Sequence, residues 1–318
     1  MRTFGFVCLT PARLRLSAEG MSEPFFLPGL SSLAENYDVV LCDIWGVVHN
    51  GKANYAPACA ALANFRRRGG TVVLVTNAPR PFPPILEQLK RLAVPDETFD
   101  AVVTSGDVTL GFIEARGNAP LHHIGPQRDL SLFEILTEQS GLKPPLVSLE
   151  EADYVVCTGL FHDECETPAD YEPSFATMLR RKLDFISANP DLVVHVGQTE
   201  LYCAGALAQR YEELGGRVLQ AGKPFAPIYD RALELARERR GMTIDKSRVL
   251  AIGDALRTDI RGAVDQGLDA LFVSHGIHRA ELHPGSGKEL GPFDHQAYER
   301  AITAAGLRPR AVIQELVW

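Results

Sequence analysis

Short runs of β-branched and apolar residues alternate with amphipathic stretches along most of this chain. Residues 38–42 (DVVLC), 71–75 (TVVLV) and 101–103 (AVV) show almost no polar alternation. Continuous apolar runs of this length predict strands buried on both faces, as in a parallel sheet. Between them, residues 57–68 and 84–92 place apolar positions at helical spacing, and each opens with a proline near its first turn. The same grammar returns late: 248–252 (RVLAI) and 268–274 (LDALFVS) predict strands, 225–239 and 258–266 helices. Strand and helix in alternation predict an α/β core built from βαβ units.

The middle of the chain differs. Residues 121–124, 154–158 and 192–196 predict strands and 129–139 and 169–181 helices, interrupted by Pro144-Pro145 and a polar loop at 161–168. We therefore expect one core, residues 31–107 and 208–318, split around a second unit of strands and helices at 108–207. Residues 1–30 read as a leader or extension. The patch at 4–9 with Arg2, Arg13 and Arg15 is short and lacks a small-residue cleavage site, and Met21 offers a second beginning.

Composition narrows the class. A net charge of -8 argues against a nucleic-acid binder, which would carry a basic patch. No apolar run reaches membrane-spanning length, so no membrane association is expected. The six cysteines form no C-x-x-C pair and no regular framework, which reads as reduced thiols in a cytoplasmic protein.

Four polar features fall at matching places in the core. Asp43 ends the first strand; Thr76-Asn77 ends the second, in TVVLVTNAPR; Lys223 lies in AGKP before a helix; Gly253-Asp254 ends RVLAI, with Thr258-Asp259 following. Open α/β sheets place reactive groups outside the carboxyl ends of their strands. Converging carboxylates of Asp43 and Asp254 would repel unless a cation lay between them, and hard oxygen ligands suit Mg²⁺. Asp43 could then attack phosphorus. Thr76 offers a hydroxyl, and Asn77 with the following helix N-terminus offers amide donors for phosphate oxygens. Lys223 would supply positive charge and keep Asp43 ionised. Asp259 would orient metal waters or Lys223 from behind.

The order D-x-x-G-V, then T-N with Arg80 three residues on, then G-K-P, then G-D-x-x-x-T-D resembles the haloacid dehalogenase (HAD) superfamily, and more narrowly its class IIA branch of NagD and p-nitrophenylphosphatase-like phosphatases. Residues 187–191 (SANPD) and 203–207 (CAGAL) are similar to stretches near the end of that branch's cap. The resemblance implies a Rossmannoid core with an inserted α/β cap of the C2 type and a Mg²⁺-dependent hydrolysis of a small phosphorylated metabolite, of the sugar or nucleotide phosphate class, through an aspartyl-phosphate. Carried over by position, Asp43 is nucleophile and ligand, Asp254 the other side-chain ligand, and the Trp45 main-chain carbonyl a third. Thr76, Asn77 and Lys223 hold the phosphate. Homodimerisation through the cap is expected at the level of the family only.

One position departs. Phosphatases of this superfamily carry a second Asp two residues after the nucleophile, which protonates the leaving oxygen and then activates water; here it is Trp45. The carbonyl contact survives, but indole has only an N–H donor and no useful acidity. His49, six residues after Asp43, is the nearest replacement as acid or base. The expectation is a phosphatase of reduced or specialised activity. The alternatives are a carbon–halogen or carbon–phosphorus hydrolase using the same Asp, since dehalogenases and phosphonatases lack the second Asp, and a catalytically silent phosphometabolite-binding protein.

Other patterns carry less. Residues 162–166 (HDECE) read as a solvated loop rather than a metal site, because the ligands are adjacent. His122-His123 opens a strand with no assigned role. Gly285-Ser286-Gly287-Lys288 lacks the spacing of a phosphate loop and reads as a loop. Arg80 either braces the turn after the second strand or contacts phosphate.

Overall fold

The computed structural model describes residues 26–196, 199–285 and 291–318; residues 1–25 of the expected leader and Ser286, Gly287 and Lys288 lie outside the described residues. The first part of the core contains β1 (Val39–Asp43), α1 (Ala56–Arg67), β2 (Thr71–Thr76), α2 (Phe82–Arg91), β3 (Ala101–Thr104) and α3 (Ser105–Glu114). The inserted unit contains β4 (Leu121–Ile124), α4 (Ser131–Ser140), β5 (Tyr154–Cys157), α5 (Glu172–Arg181), β6 (Asp184–Ser187), β7 (Val193–Val196), β8 (Thr199–Tyr202), α6 (Ala204–Glu213) and β9 (Val218–Gln220). The core then resumes with α7 (Ala226–Arg240), β10 (Val249–Gly253), α8 (Arg261–Asp265), β11 (Asp269–Val273), α9 (Arg279–Leu282), α10 (His295–Ala305) and β12 (Ala311–Ile313).

The core sheet has six parallel strands in the order β12-β11-β10-β1-β2-β3. All residues of β1, β2, β3 and β10 are buried, as their unbroken apolar runs require. On one face lie Ala58, Leu62 and Phe65 of α1 with Ile85 and Leu89 of α2. Ile228, Tyr229 and Ala232 of α7 and Ile302 of α10 cover the other. From β1 the chain adds β2 and β3 to one side; after the insertion it adds β10, β11 and β12 to the other. The sheet therefore reverses its strand order between β1 and β10, where open α/β folds form a crevice.

The cap sheet, β4-β5-β6-β9, is also parallel, and β7 pairs antiparallel with β8. Helices α5 and α6 cover one face through Phe175, Met178, Leu207 and Tyr211. Leu110, Ile113, Leu132 and Leu136 of α3 and α4 cover the other. Prolines in the first turns of α1, α2, α5 and α7, and a reciprocal Thr104–Asp107 cap on α3, set where these helices begin.

The expected boundaries need correction in three places. Residues from 26 onward belong to the core: Phe26 bridges to Val312, and Leu27, Leu30, Leu33 and Ala34 are buried. Position 107/108 falls inside α3, whose Val108 packs into the core and whose Leu110 and Ile113 pack into the cap. Position 207/208 falls inside α6, and β9 pairs with β6, so the cap sheet is complete only at residue 220. A three-residue strand carries no periodicity to read. The expected helix at 258–266 is a π-helical turn, Leu256–Ile260, followed by α8.

Candidate functional site

Asp43 closes β1 at the middle of the sheet, Thr76 closes β2, and Asp254 follows β10 directly. Parallel register aligns these strand ends, so Asp254 meets Thr76 and Asp43, 178 and 211 positions earlier in the sequence, at one edge. Asp43, Asp254 and Asp259 each present a carboxylate oxygen within 4.8 Å of the others. All three are buried. The sequence placed Asp259 behind the ligands, orienting metal waters or Lys223; it accepts from the Lys223 ammonium, and the π-helical turn also sets its carboxylate beside the other two.

Lys223 sits among them, 4% exposed. Its Nζ donates to Asp43 Oδ1 at 2.6 Å, to Asp259 Oδ1 at 2.7 Å and to the Val75 carbonyl at 3.2 Å. Three ammonium protons thus meet three acceptors. Burial works against the lysine's charge, but Asp259 and Asp43 outweigh it and hold the ammonium well above its usual range. The carboxylates go the other way. Burial and the Asp259 charge push Asp43 well above the ordinary carboxylate range despite Lys223. Burial and Asp259 likewise push Asp254 up to about 7. Sequence reasoning expected Lys223 to keep Asp43 ionised. Its ammonium acts in that direction, against burial and the Asp259 charge.

Asp254 is fenced by backbone. Its Oδ2 accepts the Ile277 N–H at 2.7 Å, and a Cβ on Gly46 or Gly276 would collide with the same carboxylate. Gly46 also has a φ of 85°, which favours glycine. This contact sets Gly46 against Asp254. The loop after β11 was missed as part of the site. Its signal was the glycine directly after LFVSH.

Thr76 accepts the Ala78 N–H at 3.2 Å through Oγ1, leaving its hydroxyl proton to donate. Asn77 is different. Its Oδ1 accepts the Lys223 N–H at 2.7 Å, and its Nδ2 donates to the Lys223 carbonyl at 3.1 Å and to Asp191 Oδ1 at 2.9 Å. The side-chain amide expected to bind phosphate is therefore committed to the Lys223 segment and to the cap. The helix N-terminus expected beside it is also absent: α2 begins at Phe82, whose N–H is taken by Asp107 Oδ1 at 2.9 Å. Asn77→Ala would strand the buried Lys223 N–H. Destabilisation of about 2–3 kcal/mol is expected by urea unfolding.

Trp45 leaves its indole 42% exposed while its ring packs against Gly51. It meets the buried His49 ring edge to face, with centroids 5.3 Å apart. His49 Nδ1 accepts the Gly51 N–H at 3.1 Å, and burial lowers the imidazole below its usual pKa. A neutral ring used as a backbone acceptor braces the turn that carries Trp45.

The two cap stretches singled out in the sequence meet: a Cβ on Gly205 would collide with the Pro190 carbonyl. Arg80 contacts Gln88 of α2 at 3.3 Å, bracing that helix. In the 162–166 loop, Glu166 accepts from the Tyr171 hydroxyl at 2.7 Å and Asp163 pairs with Arg128. His122 Nδ1 lies 2.8 Å from the Val147 carbonyl and His123 Nε2 2.9 Å from Thr158 Oγ1, with burial holding His123 near about 4. Among the described residues, the three aspartates form the one carboxylate, histidine or cysteine group able to hold a metal.

Two family descriptions match this chain. Residues 40–137 match the haloacid dehalogenase-like hydrolases, and residues 220–292 a second HAD-hydrolase-like description. An acid sugar phosphatase of Staphylococcus haemolyticus is 30% identical over 248 residues, covering 76% of this chain and 87% of that protein. The 5'-nucleotidase YutF of Bacillus subtilis is 25% identical over 252 residues, covering 78% and 91%. The crystal structure of a haloacid dehalogenase-like hydrolase from Brucella suis 1330 is 46% identical, covers 92% of this chain and 100% of its own, and superposes with a TM-score of 0.77. The chain belongs to the haloacid dehalogenase-like hydrolases.

Proposed function

We propose that this protein is a Mg²⁺-dependent phosphatase that hydrolyses a small phosphorylated metabolite through an aspartyl-phosphate on Asp43. The observation that carries the reading is the charge imbalance at the sheet edge: three buried carboxylates face a single ammonium. The donors are hard oxygens on a fenced backbone, which fits Mg²⁺ held by Asp43, Asp254 and the Trp45 carbonyl. When bound, the ion neutralises charge on the phosphoryl oxygens. The names of the acid sugar phosphatase and 5'-nucleotidase relatives support a phosphate ester as substrate.

The geometry supports a role for each residue. Lys223 holds Asp43 Oδ1, leaving Oδ2 to attack phosphorus as the bond to the leaving oxygen breaks. Thr76 donates its hydroxyl proton to a phosphoryl oxygen, and Lys223 offsets the charge that develops there. Asn77 and Asp259 fix Lys223. Water then attacks phosphorus, the bond to Asp43 breaks, and inorganic phosphate leaves. The residue at position 45 supplies no proton to the leaving group, so it departs as its anion or takes a proton from water. Activity is accordingly specialised toward leaving groups that tolerate this. His49 is a brace for the turn in this reading, not the acid.

The test is phosphate release by the purified protein with Mg²⁺, its loss on chelation and its return on adding Mg²⁺ back. The pH dependence has a definite sign. Asp254 is raised to about 7, above an unfolded value near about 4. The metal-free folded protein thus holds more protons than the unfolded chain, and this group's contribution to stability falls as pH rises from about 4 through 7. Mg²⁺ needs the ionised form and reverses that loss. The Tm increase on adding Mg²⁺ is therefore expected to be larger at pH 8 than at pH 5.5. Equal increases, or none, would count against a metal at these carboxylates.

A further inference from the structure

Nine large apolar side chains remain exposed among the described residues, and four of them attach to the site just described. Trp45 follows Asp43 by two positions and is 42% exposed; Phe225 follows Lys223 by two and is 41% exposed. Ile277, 55% exposed, is the residue whose own N–H holds Asp254. Tyr55, 37% exposed, lies close enough for the Asp254 charge to act on its phenol, and its N–H donates to the Val48 carbonyl at 2.7 Å, tying it to the Trp45 turn. Trp45 and Tyr55 lie on one turn and Phe225 and Ile277 on two further segments, each next to Asp43, Lys223 or Asp254. Trp45 is also held in place, its ring against Gly51 and on edge to His49, so one aromatic surface is fixed while the rest stays open.

Resting on the phosphatase reading above, we infer that Trp45, with Tyr55 and Ile277, forms an apolar collar that selects phosphate esters whose leaving group is a planar aromatic or heteroaromatic ring. Two independent features converge on this class. Fixed indole faces bind flat rings by offset or edge-to-face stacking. Without a proton donor at position 45, the leaving oxygen must be acidic enough to depart as its anion, as a phenolic oxygen is. A saturated polyol would meet neither condition.

The experiment separates ring recognition from leaving-group acidity. Phenyl phosphate and hexafluoroisopropyl phosphate have leaving oxygens of similar acidity, but only the first is planar. With Mg²⁺, kcat/KM is expected to favour the phenyl ester. Trp45→Ala should lower the phenyl-to-fluoroalkyl ratio by about 3- to 10-fold, the scale of one stacked contact, and Trp45→Phe should restore most of it. An unchanged ratio in Trp45→Ala would overturn the collar and leave the phosphatase reading intact. Direct binding gives a second readout. The chain has two tryptophans, Trp45 and Trp318, so a Trp318→Phe protein reports on Trp45 alone. Phenylphosphonate with Mg²⁺ should change its fluorescence saturably, and methylphosphonate should not. The same response to both, or to neither, would overturn the proposal. If the wild type hydrolyses no ester at all, it is the phosphatase reading that falls, and the fluorescence arm still decides whether the collar binds rings.

Discussion

Asp43→Asn is expected to lower turnover of every phosphate ester by on the order of 10⁴-fold or more, the scale seen when a covalent nucleophile is removed. The amide keeps the shape of the carboxylate and an oxygen for the Lys223 ammonium now 2.6 Å away. What it loses is the nucleophilic electron pair. The substitution also removes one of three crowded carboxylates. Asp43 is pushed up in pKa by burial and by Asp259, so relieving it should leave the metal-free Tm at pH 8 no lower than that of the wild type. Inactivity with an undiminished Tm would assign the loss to chemistry. Turnover retained within about ten-fold would remove Asp43 from the reaction.

Trp45→Asp is expected to do the reverse and raise activity on alkyl phosphates, by about 10²-fold and at most about 10⁴-fold, the range for a positioned acid–base group. Trp45 is half-exposed, so the smaller side chain opens no core cavity, and the backbone turn still has the Gly46 N–H to His49 carbonyl bond at 2.9 Å. The new carboxyl would protonate the leaving oxygen and then, as carboxylate, take a proton from the attacking water. The gain should be smaller for aryl esters, whose leaving groups need no proton. In the native protein, with no base at this position, the aspartyl-phosphate should persist, and aryl esters should give a burst of about one leaving group per site before steady turnover. If Trp45→Asp gains nothing on alkyl esters, the native residue is no catalytic deficit.

Much of this site was legible because parallel sheets place their chemistry at strand ends. Asp43, Thr76 and Asp254 each close or follow an unbroken apolar run, and those runs proved to be neighbouring strands. Lys223 was legible only from its Gly-Lys-Pro setting and its order in the chain. The assignments that shifted depend on partners far away in sequence. Asn77 looked like a phosphate ligand, but its side chain is taken by Lys223, 146 residues on, and by Asp191, 114 residues on. Asp259, expected to orient metal waters or Lys223, does accept from the Lys223 ammonium at 2.7 Å, but its place within the carboxylate group depends on the π-helical turn. Ile277 and Gly276 matter through backbone contact with Asp254, which no side-chain pattern encodes. At the level of the fold, β9 was too short to read. The burial of Leu27 and Leu30 depends on β12 and the C-terminal residues, with which their backbone bonds at 2.9 and 2.8 Å.

The central claim is that Asp43 carries the phosphoryl group. Acid-quenching the protein during turnover of phenyl phosphate with Mg²⁺, followed by peptide mapping by mass spectrometry, tests it most directly. A phosphoryl increment on the peptide containing Asp43, absent from Asp43→Asn, is the predicted result. Phosphate release with no increment on that peptide at any quench time, in a protein that turns over, would contradict it.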